Sequence, residues 1–97
     1  MAAYLLVRMT VGNQAQYDRY RAAVGPVVAA HGGRFIVRGG VAETLEGPHD
    51  ARRHVALEFP SADAARRFWN SPEYVEVKKL RAGAAELEVV LVEGAAG

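Results

Sequence analysis

"RHVALEFPSADAARRFW", Arg53 to Trp69, changes its period in the middle. Up to Phe59 the apolar residues Val55, Leu57 and Phe59 alternate with His54, Ala56 and Glu58, the pattern of a strand with one buried face. Beyond Pro60 and Ser61 the apolar residues Ala64, Ala65, Phe68 and Trp69 gather on one side of a helix, with Ser61 the expected N-cap. What precedes the strand decides the fold. "RFIVR", Arg34 to Arg38, is a second strand, and no helical pattern separates it from Arg53. Two strands therefore follow one another before the helix.

Working outward, Tyr4 to Thr10 is apolar and β-branched and reads as the first strand. Gly12 and Asn13 follow, with Asn13 a candidate N-cap. From Gln14 the period becomes helical: Tyr17, Tyr20, Val24, Val27, Val28 and His31 share one face. Gly25-Pro26 predicts a kink, or a stop and restart, because proline lacks an N–H and clashes with the preceding turn. Gly32-Gly33 ends this helix. Gly39-Gly40 is read as a bulge, with Val41 to Glu46 continuing the strand beyond it. Gly47 to Asp50 is a loop. Ser71-Pro72-Glu73 is a further helix start, with serine as cap, proline in the first turn and an acid beside it. That helix runs through Tyr74, Val77, Leu80 and Arg81. Leu87 to Glu93 is the last strand, and residues 94–97 are expected to fray.

The order is β-α-β-β-α-β. This predicts an α+β, ferredoxin-like domain over residues 1–97: a four-stranded antiparallel sheet with the helices on one face. The 97-residue length allows one modest core. A net charge of +1 with scattered basic residues argues against nucleic-acid binding. No apolar run approaches the ~20 residues of a membrane span. The absence of cysteine rules out thiolate metal sites and cysteine nucleophiles, and it fits a reducing, cytoplasmic setting.

Alternation divides the strands into two sets. Leu5, Val7, Met9, Phe35, Val37, Val55, Leu57, Phe59, Leu87, Val89 and Leu91 are all apolar and should meet the helices. Tyr4, Leu6, Arg8, Arg34, Ile36, Arg38, His54, Ala56, Glu58, Glu88, Val90 and Val92 form a mixed, open face. Leu6, Ile36, Val90 and Val92 would be an exposed apolar patch there. A second copy packed sheet to sheet would cover it; a solvated face with a few tolerated apolar residues is the alternative. With the first and third strands as central antiparallel neighbours, Tyr4 should lie near Glu58 and Arg8 near His54. Arg38 is expected to join this cluster.

"AAHGGRFIVRGG" together with "LEFPSADAARRFWNSPEYVEVKKLR" resembles the domain of unknown function 1330 family, of the dimeric α+β barrel superfamily. Its most specific segments are His31 to Arg34, Arg38 to Gly40, Glu58 to Ser61 and Ser71 to Tyr74. Trp69 departs from it, since the family more often has tyrosine there. The resemblance implies a homodimer whose two sheets form a barrel. It implies no particular reaction, because relatives in the superfamily include cofactor-free monooxygenases, muconolactone isomerase-like and haem-degrading enzymes, and stress-responsive proteins.

Two functional expectations follow. One is an enzyme without metal or organic cofactor, acting on a small organic molecule in a cleft between sheet and helices. His31 would serve as acid or base, Arg38 would hold an anionic group, and Tyr4, His54, Glu58, Trp69 and Tyr74 would contact the substrate. The other is a non-catalytic binding or stress-responsive dimer whose polar cluster stabilises the interface. Each residue also has a structural reading: His31 capping a carbonyl at a helix end, Arg34 paired with Glu58 or Glu88, the aromatics as core. No HxH, HxxxH or HExxH spacing points to a metal.

Overall fold

A computed structural model describes residues 1–95. Its elements are β1 (Ala3–Val11), α1 (Gln14–Ala30), β2 (Arg34–Arg38), β3 (Arg53–Phe59), α2 (Ala62–Trp69), α3 (Pro72–Lys78) and β4 (Ala85–Glu93), with a 3-10 turn over Lys79–Arg81 before the last strand. The strands form one antiparallel sheet in the order β2-β3-β1-β4, with all helices on one face. This is the ferredoxin-like arrangement.

The caps act where the sequence places them. Asn13 accepts from the Gln16 N–H at 3.1 Å, Ser61 from Ala64 at 3.1 Å and Ser71 from Tyr74 at 3.1 Å. Each side-chain oxygen satisfies an N–H that the first helical turn leaves unpaired. Helix α1 does not stop at Gly25-Pro26: it runs unbroken from Gln14 to Ala30 with Pro26 inside it. Proline removes one hydrogen bond, while Val24 and Val28 on either side are both buried in the core. That burial holds the helix together across the break.

The core lies between the sheet and the helices. Leu5, Val7, Met9, Val55, Leu57 and Phe59 meet Tyr17, Tyr20, Val24 and Val28 of α1 and Ala64, Ala65, Phe68 and Tyr74 of α2 and α3. The alternation holds without interruption along β1, β3 and β4, so these strands present the expected sets.

Strand β2 departs from expectation in two ways. It ends at Arg38, and Val41 to Glu46 forms no strand. The irregularity lies inside the strand and not at Gly39-Gly40: Phe35 pairs with Leu57 and Val37 with Ala56, leaving Ile36 as the extra residue. One extra residue shifts the alternation by one. Val37 therefore joins the open face, 44% exposed, and Arg38 pairs with Val55 and turns toward the helices. At the other end of the sheet, Gly94 is held by a 2.8 Å hydrogen bond from its N–H to the Ala2 carbonyl. The expected fraying of residues 96–97 lies outside the described residues.

Candidate functional site

The register splits the expected polar cluster between the two faces of the sheet. On the open face, the Tyr4 hydroxyl donates to Glu58 Oε2 at 3.2 Å, and Arg34 Nε donates to Glu58 Oε1 at 2.8 Å. The Arg34 guanidinium holds the Glu58 carboxyl below the usual range. His54 faces Arg8 across the β1–β3 ladder, as the topology predicts. Beyond Arg8 stands Glu88, which Arg52 pairs with while also clamping Asp50. Between these two polar rows runs an apolar one, Val37, Ala56, Leu6 and Val90.

Arg38 is the correction. It does not stand with Tyr4, His54 and Glu58, because the Ile36 bulge sends it through to the helix side. There its guanidinium lies 4.0 Å from the Phe35 ring centroid and donates to the Arg21 carbonyl at 3.0 Å. For the same reason Arg34 and Arg38 point to opposite faces, although four positions apart.

On that side a cavity of about 230 Å³ opens between the sheet and the helices. All four strands contribute to its floor, from Phe35 on β2 to Leu87 and Val89 on β4, a width of about 14 Å at the usual interstrand spacing. Its walls are aromatic: Tyr17 and Tyr20 from α1, and Phe68, Trp69 and Tyr74 from α2 and α3. Trp69 and Tyr74 stack with centroids 5.2 Å apart.

The polar end lies under the first half of α1. Arg53, whose place in the ladder opposite Met9 points it inward, donates to Gln14 Oε1 at 2.9 Å and stands 5.8 Å from the Tyr17 ring. Burial pushes the Tyr17 phenol up, while Arg53, Arg81, Arg21 and Arg38 pull it down; three of these, Arg53, Arg21 and Arg38, line the cavity. None of the four belongs to an ion pair formed within 4.0 Å by the described residues. Gly39, at the mouth, turns the chain out of β2 with φ +77° and lets the Arg53 stem pass beneath it.

Deeper in, the Tyr20 and Tyr74 hydroxyls are 3.0 Å apart, and Arg81 Nη2 reaches the Tyr74 oxygen at 3.4 Å. Burial and the neighbouring Tyr74 drive the Tyr20 phenol well above its ordinary range.

His31 does not line the cavity. Its Nδ1 is 2.9 Å from the Val27 carbonyl, and its ring meets Phe68 edge-on at 5.9 Å, as a histidine closing a helix end would. Of the expected residues the cavity thus brings together Arg38, Trp69 and Tyr74, whereas Tyr4, His54 and Glu58 lie on the opposite face. Arg53, Tyr17 and Tyr20, which line it, and Arg81, which reaches the Tyr74 hydroxyl, are candidates that the sequence reading does not single out. Among the described residues, no three of the His, Asp and Glu side chains come together as a metal site would require.

Fold and site together define a ferredoxin-like α+β domain with an arginine-lined, aromatic-walled cavity on the helix side of its sheet. The chain belongs to the family described as Domain of unknown function (DUF1330), whose model matches residues 2–95. Similar solved structures share the fold. A protein of unknown function from Rhodopseudomonas palustris has a TM-score of 0.77 at 23% identity, over 99% of this chain and 84% of that one. SnoaB, described as a cofactor-independent oxygenase from Streptomyces nogalater, has 0.64 at 19% identity, over 99% and 95%. A protein from Bacteroides fragilis described as dimeric, of unknown function and ferredoxin-like fold, has 0.58 at 13% identity, over 96% of each chain. No curated protein matches the chain. No helix among the described residues is long and apolar enough to cross a membrane.

Proposed function

We propose that the helix-side cavity binds a small aromatic anion, with Arg38 and Arg53 holding the anionic group and Trp69 and Tyr74 packing on the rings. The observation that carries this reading is the gathering of three guanidinium groups, Arg21, Arg38 and Arg53, at one end of an aromatic-walled cavity, none of them in an ion pair among the described residues. A guanidinium fork offers parallel donors that match a carboxylate or a similar planar anion, and like charges held together are relieved by an anion. The likeness to a cofactor-independent oxygenase makes oxidation of such an anion by dioxygen the first activity to assay, read as oxygen consumption.

One feature favours a non-catalytic binder as the second reading. The cavity lining includes no histidine, aspartate or glutamate, so it supplies hydrogen-bond donors but no ordinary general base. A ligand there is either already anionic or simply held. The acid–base role expected of His31 is not part of either reading.

The same proposal places a second copy of the chain on the open face, where Leu6, Ile36, Val37, Val90 and Val92 are each 40% to 56% exposed. Packing two such faces removes a contiguous apolar row from water, and the Arg34–Glu58 and Arg52–Glu88 pairs would lie at its margins. A cytoplasmic location suits a chain without cysteine.

Calorimetric titration with benzoate and 2-naphthoate tests the anion site, with 2-naphthamide as the uncharged control. The carboxylates should bind, the amide about tenfold more weakly or worse, and Arg38→Ala or Arg53→Ala should cost the carboxylates about tenfold, the size of one charged hydrogen bond. A carboxylate that binds no better than its amide refutes the anion reading.

A further inference from the structure

We propose that Tyr20 and Tyr74 form a second subsite in the cavity, one that takes an acceptor oxygen, so that the ligand is a two-headed aromatic: an anionic group at Arg38 and Arg53, and a carbonyl, phenol or phenolate oxygen at the phenol pair. This rests on the anion reading and narrows it to a chemical class, the oxygenated aromatic acids.

The argument is an accounting of hydrogens. A phenol carries one hydrogen and a guanidinium carries donors only. Between the Tyr20 and Tyr74 oxygens, 3.0 Å apart, one hydrogen is used. Arg81 Nη2 reaches the Tyr74 oxygen at 3.4 Å and brings another donor rather than an acceptor. Whichever phenol donates to the other, one phenol hydrogen is left over, and neither hydroxyl meets a further acceptor among the described residues. Arg81 Nε is likewise buried with no partner among them.

Both rings line the cavity, and they are only 8% and 2% exposed. Buried polar groups are ordinarily paired, and leaving a donor unpaired is the expensive case. Burial keeps the Tyr20 phenol protonated well beyond neutral pH, so it remains a donor. The excess of donors here calls for an acceptor and not for another donor. The floor of the cavity runs across all four strands. That leaves room for an aromatic body between this subsite and the arginines, which lie on the β2–β3 side.

The test uses the full chain and two trios of probes: benzoate, 4-hydroxybenzoate and 4-aminobenzoate, and 2-naphthoate with its 6-hydroxy and 6-amino derivatives. Affinities are measured for the wild type, Tyr20→Phe and Tyr74→Phe. In the ring size that fits, the hydroxyl should improve binding about tenfold over the parent acid. The amine, a poor acceptor, should bring no gain. In both phenylalanine variants the hydroxyl advantage, taken as the ratio of hydroxy acid to parent acid affinity within the same variant, should fall below about threefold. If the parent acids bind but the hydroxyl adds nothing, adds no more than the amine, or keeps its advantage in both variants, solvent satisfies the phenols. The second subsite is then refuted and the anion site stands. If the parent acids fail to bind the wild type, both readings fall together.

Discussion

Gly39 is expected to matter for both stability and binding, and its neighbour Gly40 for neither. Gly39 sits at φ +77°, and a Cβ there would lie 3.1 Å from Arg53 Cδ and 3.2 Å from Cγ. Gly40 has neither a positive φ nor any atom within 4 Å of such a Cβ. Alanine in the left-handed region costs about 1–2 kcal/mol. The more restricted unfolded chain offsets about 0.4–1 kcal/mol of that. The close contact adds to the loss, since the Arg53 methylenes must give by a few tenths of an ångström. Gly39→Ala should therefore lose about 1 kcal/mol net, a fall in Tm of about 4–8 °C for a chain of this size. Gly40→Ala should match the wild type or exceed it slightly. Urea and thermal unfolding at one fixed protein concentration read this difference. Displacing the Arg53 stem also loosens its hydrogen bond to Gln14 Oε1, so 2-naphthoate should bind Gly39→Ala about threefold more weakly or worse. Equal stability of the two variants would refute the strain argument. Equal affinity would refute the claim that Gly39 positions Arg53.

Gly33→Ala should cost about 1–3 kcal/mol by overpacking, because its Cβ would come within 2.5 to 2.9 Å of ring carbons of the fully buried Phe59; an unchanged unfolding midpoint would count against this. Leu6→Asp puts a charge in the middle of the open face, where a partner sheet would bury it unpaired. Sedimentation should then show a monomer, and an unweakened dimer would mean another surface is used. Glu58 is titrated below its ordinary range by Arg34. Its folded pKa lies below its unfolded one, so its contribution is present above the unfolded pKa and is lost as pH falls through the folded one. The stability difference between wild type and Glu58→Gln should therefore shrink on acidification, and a difference independent of pH would exclude the ion pair as its source. Deleting Ile36 should convert the bulge into a regular ladder with Phe35 and Arg38 still facing the helices. 2-Naphthoate affinity should then stay within about threefold of wild type, and a collapse of binding would show that the bulge itself, and not the register, aims Arg38.

That deletion isolates why the fold was legible in the sequence and the site only partly so. Along β1, β3 and β4 the period of two is unbroken, and each strand is long enough to show it, so face and register follow from alternation alone. Even the cross-strand neighbours Tyr4–Glu58 and Arg8–His54 come out as the topology dictates. Strand β2 is five residues long with a bulge inside it. A single extra residue reverses every orientation beyond it, and nothing in "RFIVR" marks Ile36 as the extra one. The glycine pair after Arg38 points to a bulge three residues too far along the chain. Strict alternation therefore puts Arg38 on the wrong face, while Tyr4, Glu58, Arg8 and His54 stand where it places them.

Arg53, by contrast, carried a readable signal. It shares its phase with Val55, Leu57 and Phe59, so strict alternation already aims it at the helices. A charged residue in an otherwise apolar phase must find a partner or a ligand, because burying an unpaired charge is costly. Arg81 follows Tyr74 by seven residues, two helical turns, which places both on one side of the α3 segment, and the same demand applies there. The residues lining the cavity are apolar apart from Gln14, Gly39, arginines and hydroxylated rings. Donors at the cavity wall, with no acid lining the cavity to answer them, point to an acceptor that the chain itself does not supply there.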